Sequence, residues 1–456
     1  MSDFRDTLYT ISKDGTRKWV YPSIIWGKIR KFRVAVATLL LAAYLATPWI
    51  EISGKQAVLI NIMGREFTFF GTTYWATDTL PLVFILALLG MTLFIVSAVV
   101  GRAWCGWACP ETVFLEFVFR PLEALIEGPP AKRIRLNQSK WSKEWLFKKT
   151  LKFAIYAAIA WLMANTLLAY FIGREPLLLM ATHSPLENLN VFVICLIFTA
   201  AFLFQFGWFR EQFCTVLCPY ARFQSVLLDR ASLVVGYDTK RGEPRGKAKE
   251  SGHGDCVDCG LCVRVCPTGI DIRNGIQLEC VHCAACIDAC DSIMDGVGKP
   301  RGLIRYDSEQ GFAGDKRRFI RPRLFLYLTV ILILLTALGV SLSKRSEIDF
   351  QILRGGLDLP FTVLADGEIV NHLHLRMGNK GDKEHSFTIS APEAPDLKLV
   401  LPVNPIKVGA EALLTSPIFV TVQASSLEHG HRKIELVATR EDGKVRKSSI
   451  VILGPG

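Results

Sequence analysis

Residues 256–267 read CVDCGLCVRVCP and residues 280–290 read CVHCAACIDAC. Each run holds four cysteines spaced C-x-x-C-x-x-C-x-x-x-C, and the first ends in Pro267. Three thiolates this close can cap three corners of an iron–sulfur cubane, while the fourth reaches a second cubane. This is the bacterial two-cluster ferredoxin spacing. It assigns Cys256, Cys259, Cys262 and Cys290 to one 4Fe-4S cluster, and Cys280, Cys283, Cys286 and Cys266 to the other. A pair of zinc knuckles is the plainer alternative, but zinc sites take two separated C-x-x-C pairs, not two triplets each trailed by a fourth cysteine. Asp291 stands where a proline would be common, and no ligand is lost by it. Such clusters carry electrons and perform no bond chemistry by themselves.

The ferredoxin-like block, about 250–295, lies inside a largely apolar chain. Of 456 residues, half are hydrophobic, and apolar runs occupy 34–50, 80–100, 153–171, 189–208 and 324–342. Each is close to the roughly 20 residues a membrane-spanning helix needs. The first run is a poor signal peptide, because its polar leader is long and Thr47-Pro48-Trp49 is not a small-residue cleavage site. The net charge of +11 could suggest nucleic acid, but the basic residues cluster beside the apolar runs, so the expected partner is the lipid bilayer and no nucleic acid.

Loop charge sets the expected orientation. The leader carries Arg17, Lys18, Lys28, Arg30, Lys31 and Arg33, and the loop after the second run carries Arg120, Lys132, Arg133, Arg135, Lys140, Lys143, Lys148 and Lys149. The loop after the first run has only Lys55 and Arg65, and the loop after the third only Arg174. Basic loops stay in the cytoplasm. The expected layout is a cytoplasmic segment 1–33, a four-helix region 34–208 built of two hairpins, a cytoplasmic region 209–323 and a fifth helix 324–342. A periplasmic domain 346–456 would follow. Lys344 and Arg345 at the outer end of the fifth run argue weakly the other way.

Residues 346–456 alternate apolar and polar in short runs such as FTVLADGEIV, HLHLRM and HRKIELVAT, separated by turns such as NKGDKE and EDGK. That pattern predicts an antiparallel β-sandwich. His372, His374, His429 and His431 read as surface residues of strands and turns. The five apolar runs hold no histidine, which sets aside bis-histidine haem as a membrane cofactor.

Two further cysteine pairs follow apolar runs: Cys105 and Cys109 in WCGWACPETVF, and Cys214 and Cys218 in FCTVLCPYARF. Each is C-x-x-x-C-P-x-x-x-F, closing with Phe114 or Phe223. On a helix, residues i and i+4 share a face, so each pair is expected as neighbours at the cytoplasmic end of a helix. Simple packing does not explain the same pair and proline twice. A permanent disulfide is at odds with reducing cytoplasm. A redox-cycling dithiol and a soft-metal site remain, and thiolates favour Cu(I). Cys195, alone in the fourth run, reads as packing. Trp104, Trp107, Phe213 and Tyr220 read as an interfacial aromatic belt.

With GRAWCGWACPETVF, CTVLCPYARFQ, VVGYDTKRGEPRG, the paired cluster runs and the C-terminal β-domain in this order, the chain resembles the cytochrome c oxidase accessory proteins of the CcoG/FixG (RdxA) type along essentially its whole length. The resemblance implies a bacterial inner-membrane protein with an immunoglobulin-like C-terminal domain. It implies reduction of Cu(II) to Cu(I) for assembly of a cbb3-type oxidase, with Cys105, Cys109, Cys214 and Cys218 as the copper-handling and catalytic thiols. Partners would then be copper-handling proteins and the oxidase or its assembly factors. The sequence names no electron donor and leaves a homo-oligomer open. Membrane ferredoxins of the NapH and NosR type share the C-x-x-x-C-P pairs and offer a second reading, quinol-linked electron delivery to a periplasmic reductase. A non-redox assembly scaffold is a third.

Overall fold

An apolar segment crossing a bilayer must satisfy its own backbone hydrogen bonds, which a helix does. In a computed structural model of the chain, five helices among the described residues are long and apolar enough to cross. They are Lys28–Trp49, Leu80–Val100, Lys143–Ile172, Leu189–Phe209 and Pro322–Ser343, here spans 1 to 5. The structure describes residues 10, 16–64, 66–75, 79–139, 141–247, 252–315, 321–344, 346–354, 360–364, 367–381, 383–410 and 412–455. Arg65, Lys140 and Arg345 of the charge count lie outside them.

Two spans start earlier than their apolar runs. Span 1 begins at Lys28, so Arg30, Lys31 and Arg33 are helical. Span 3 begins at Lys143, where the Ser142 hydroxyl accepts from the Trp145 N–H at 3.0 Å and caps the first turn. Hydropathy misses these turns because their charged side chains belong to the helix and bond to neighbours, as shown below. Spans 3 and 4 pack on each other. The two-fold repeat is imperfect in packing, for Phe114 is 9 % exposed in a core cluster while Phe223 is 66 % exposed.

The chain divides into two units, residues 1–72 with 82–338 and residues 73–81 with 339–456. In the first, strands Val234–Tyr237 and Ile304–Asp307 pair antiparallel and bracket the ferredoxin block. Between them, helices Leu261–Arg264 and Ala285–Val297 pack together, each starting just before the third cysteine of its triplet. The two triplet loops bend alike. Asp258 and Gly260 in one, and His282 and Ala284 in the other, all take positive φ between 49° and 64°.

The second unit is a pair of antiparallel sheets. One has the order Lys398–Val400, Leu413–Gln423, Glu368–Asn379, Ile348–Arg354, with Phe361–Val363 also on Glu368–Asn379. The other runs Ile406–Val408, His385–Ser390, His431–Arg440, Val445–Leu453. Ile369, Leu373, Leu375 and Met377 alternate along one strand into a core shared with Phe387, Ile389, Ile434 and Leu436. His372 and His374 occupy the alternate positions of that strand, and His372 bonds Thr362 at 3.2 Å. Trp75, from the segment between spans 1 and 2, is 1 % exposed and is built into this unit beside Gly378.

In the first unit, a buried network of charges joins span 3 to the segments around both thiol motifs. Glu123 meets Arg210 at 3.0 Å and Arg133 and Lys152 at 3.3 Å. Glu127 meets Lys152 at 2.7 Å and Lys149 at 2.8 Å. Glu211 meets Arg17 at 2.9 Å and Arg120 at 3.0 Å. Burial alone would raise the Glu123 carboxyl, but Arg210, Lys152 and Arg133 hold it down at about 2. Breaking a buried pair strands the partner charge, which costs about 3–5 kcal/mol. Glu123→Ala is therefore expected to destabilise the detergent-solubilised protein by about that amount. Glu144→Ala, which removes the exposed pair with Lys148, should leave the melting temperature where it was.

Candidate functional site

The eight ferredoxin-type cysteines line two cavities. One is walled by Cys256, Cys259, Cys262 and Cys290, with Ile293, Met294 and Leu303 among its apolar lining. The other is walled by Cys266, Cys280, Cys283 and Cys286, with Pro267, Ile270 and Ile272. The fourth cysteine of each run thus lines the other run's cavity. Among the described residues, no three His, Cys, Asp or Glu side chains stand close enough to hold one metal ion. Four thiolates around each cavity fit the four irons of a cubane, one thiolate to each. Cys262 lines both cavities, so the two sites are adjacent. Asp291, in place of the common proline, accepts the Gly302 N–H at 3.0 Å and ties the helix to the strand that follows.

The thiol pairs do not sit as expected. Span 2 ends at Val100, and Gly101 turns the chain with φ of 63°. Cys105 lies in the short helix Ala103–Trp107, whereas Cys109 is extended, φ −60° and ψ 128°, and starts the next helix at Pro110. Cys214 lies in a π-helical turn, Phe213–Leu217, and Cys218 is extended, φ −64° and ψ 109°, before the helix Pro219–Leu227. In both motifs the proline is the cause. Its ring disfavours helical backbone at the residue before it, so the second cysteine leaves the helix and the i, i+4 face is lost.

The folding of the motifs still draws the thiols into one region. Cys105 and Cys218 interact electrostatically, and Cys214 feels Cys109, Cys105 and Cys218. Burial pushes the Cys105 and Cys214 thiols up, and takes Cys109 to about 11. Glu111, beside Cys214, is raised to about 7 by burial, and its Oε1 is buried without a hydrogen-bond partner. Burial of this kind favours the neutral thiol at Cys105, Cys109 and Cys214.

Cys105 also touches the ferredoxin block. It is buried in a cluster with Val281 and Cys283, on which Tyr220 and Ala285 pack. The backbones meet at Gly106, where a Cβ would lie 2.5 Å from Val281 O and 2.8 Å from Cys283 N. Around that contact, Arg33 Nε donates to Gly106 O at 3.1 Å and the Arg102 N–H donates to His282 Nδ1 at 2.9 Å. Trp107 Nε1 donates to Tyr306 Oη at 3.1 Å, and Tyr306 Oη donates to His282 O at 2.6 Å. The two motifs are tied to each other by Gln224, fully buried, whose Oε1 accepts from Arg102 Nε at 2.9 Å and from Cys105 Sγ at 3.3 Å. Tyr220 bonds Ser97 Oγ at 2.7 Å.

Trp107 and Tyr220 are therefore part of this joint and not of an aromatic belt. Cys195 packs with Ala164 and Leu168. Sequence reasoning missed Arg33, Arg102, Gly106 and Gln224, because nothing in their spacing marks them; the one local signal was that Gln224 directly follows the second motif's phenylalanine.

Comparison with known proteins agrees with this partition. The family described as "4Fe-4S dicluster domain" matches residues 209–309, and "4Fe-4S binding domain" matches residues 81–129, which carry Cys105 and Cys109. The family for the IG-like fold at the C-terminal of FixG matches residues 338–455. Protein RdxA of Cereibacter sphaeroides is 37 % identical over 398 residues, 83 % of each chain. Protein RdxB of the same organism is 35 % identical over 439 residues, 90 % of each chain. Nitrogen fixation protein FixG of Rhizobium meliloti is 33 % identical over 475 residues, covering 92 % of this chain and 90 % of that one.

Gly106→Ala puts a methyl group against backbone, which cannot swing aside. The variant is expected to lose the docking of the thiol motif and to disturb the cavity at Cys283. Anaerobically reconstituted wild type should hold about eight irons by this ligation. In the variant, iron analysis and EPR should show one site depleted or altered, while Gly296→Ala, which meets open space, should match wild type.

Proposed function

This chain belongs to the FixG/RdxA family of iron–sulfur electron-transfer proteins, and on that premise we propose that it reduces Cu(II) to Cu(I) at the thiols of its two C-x-x-x-C-P motifs. The copper is a substrate, destined for assembly of a cbb3-type cytochrome c oxidase. The observation that carries the reading is the burial of Cys105 against Cys283. A thiol of the motif touches a residue that lines the second cluster cavity, so an electron leaving that cluster meets the motif first. Each Cu(II) takes one electron to become Cu(I), and thiolates stabilise Cu(I), so binding at the thiols favours the reduced ion.

The test is to replace Cys105, Cys109, Cys214 and Cys218 together by Ser. Iron content should stay near wild type, while Cu(I) binding and cupric reduction by the dithionite-reduced protein disappear. In cells the variant should make less active cbb3-type oxidase, most visibly when copper is scarce. Normal cupric reduction by this variant would show the thiols to be structural and leave electron delivery to another acceptor as the better reading. That second reading has one observation in its favour. A wide cavity walled by Trp19, Tyr21, Trp145, Phe153 and Trp208 opens at the ends of spans 3 and 4, where a quinol could enter from the bilayer.

The sidedness belongs to the same proposal. The ferredoxin block meets the start of span 1, where the Arg30 N–H donates to Asp288 at 2.8 Å, and the motifs after spans 2 and 4, and Asp229, ahead of the block's first strand, pairs with Arg321 at the start of span 5. These ends all carry the basic residues that stay in the cytoplasm. Trp75, from the segment after span 1, belongs to the C-terminal unit, which supports a common periplasmic side for both. A reporter active only in the periplasm should work when fused after Gly456 and fail when fused near Ser251; the reverse result would overturn the orientation.

A further inference from the structure

Two arginines at the joint between the thiol motif and the second cavity are buried, and among the described residues no carboxylate pairs with either. Arg33 is 2 % exposed and Arg102 is 3 % exposed. Arg33 uses Nε on Gly106 O, and Arg102 uses Nε on Gln224 Oε1. Arg33 Nη2 and Arg102 Nη1 are buried without any hydrogen-bond partner. An arginine keeps its charge in any protein environment, and a buried charge left unpaired is strongly unfavourable. The joint therefore carries positive charge with no protein anion to match it.

The first cavity is surrounded differently. Arg273, which lines it, is clamped by Asp271 at 2.7 Å and Asp258 at 2.5 Å. Arg241 and Lys299 nearby share Asp255. Asp291 adjoins Cys290. The buried and half-buried cations on this side thus each have a carboxylate, while Arg264, which donates to Cys259 O at 3.2 Å, is exposed to solvent that screens its charge.

A cubane with four thiolates is an anion, and reduction adds one more negative charge. Fixed positive charge nearby favours the reduced form, so charge and hydrogen bonding around a cluster set its potential. We propose that Arg33 and Arg102 set the direction of electron flow, by holding the cluster site of Cys266, Cys280, Cys283 and Cys286 at a higher potential than that of Cys256, Cys259, Cys262 and Cys290. With clusters held at both sites and a one-electron donor of lower potential at the exposed ligand Cys259, Cys262, which lines both cavities, would join the two sites, and Cys283, where Cys105 is packed, would be the exit side. Arg33 and Arg102 act as potential-setting residues through charge, without touching the ion to be reduced.

The direction of exit rests on the proposed function, but the difference in potential stands without it and is tested without copper. The full-length, anaerobically reconstituted protein is titrated in detergent and followed by EPR. Wild type should show two one-electron steps, and Cys259→Ser should shift the lower one. Arg33→Gln and Arg102→Gln should each lower the upper step so that its reduced form is about tenfold less favoured, equivalent to about 59 mV for one electron, with the other step unmoved. Arg33→Lys and Arg102→Lys should restore it. A shift of the upper step by Cys259→Ser overturns the proposal, and so does an equal effect, or none, of the Gln variants on the two steps. Should the Gln variants fail to assemble, the wild-type and Cys259→Ser titrations decide alone. Failure here would leave cupric reduction by the thiols intact as a reading, and failure of the cupric assay would leave the potentials as measured.

Discussion

Two peptide backbones meet at Gly106, and no side chain could stand between them. On one side is the first thiol motif, turned away from span 2 at Gly101. On the other is the Val281–Cys283 loop that walls a cluster cavity. The contact admits only hydrogen at the α-carbon, and a donor–acceptor set surrounds it: Arg33 to Gly106 O, Arg102 N–H to His282, Trp107 to Tyr306 to His282 O. Polar groups buried at such a joint must be satisfied or they destabilise it, so the hydrogen bonds fix the register in which Cys105 meets Cys283. The first thiol motif and the ferredoxin block are in this way packed as one body.

The buried ion network supports that joint from beneath. Arg120 links Glu116 and Glu211 and donates to Pro267 O at 2.9 Å, so the same cation touches both motif segments and the residue after Cys266. Glu123 gathers three cations from three segments. Ion pairs of this kind contribute little net stability compared with apolar packing, and their best-attested role is to specify one arrangement. Here the arrangement places two helix-breaking Cys-Pro steps side by side, bridged by Gln224.

Arg33 and Arg102 depart from that pairing rule, and the departure is informative. Everywhere else in the joint a buried cation has a carboxylate close by. These two have neutral acceptors and an open N–H each. Leaving these two without a carboxylate while Arg120, Arg133 and Arg210 are paired fits the negative charge that four thiolates would bring to a cluster at the cavity lined by Cys283.

The sequence by itself determined the parts: eight cysteines whose spacing dictates which four meet, apolar runs of spanning length, and alternation that makes strands of 346–456. These are local or periodic properties, and covalent spacing or backbone hydrogen bonding enforces them wherever the chain goes. The Cys-Pro steps were also legible, since proline acts on its immediate neighbour, although the i, i+4 argument overlooked it. Only the tertiary structure decided which surfaces meet. Gly106 is an ordinary glycine until Val281 O comes within reach of its α-carbon. Span 3 starts at Lys143 because Glu123 and Glu127 are there to receive Lys149 and Lys152. Gln224, Arg33 and Arg102 gain their roles from residues scores of positions away, and no pattern within their own segments encodes an encounter that long-range packing creates.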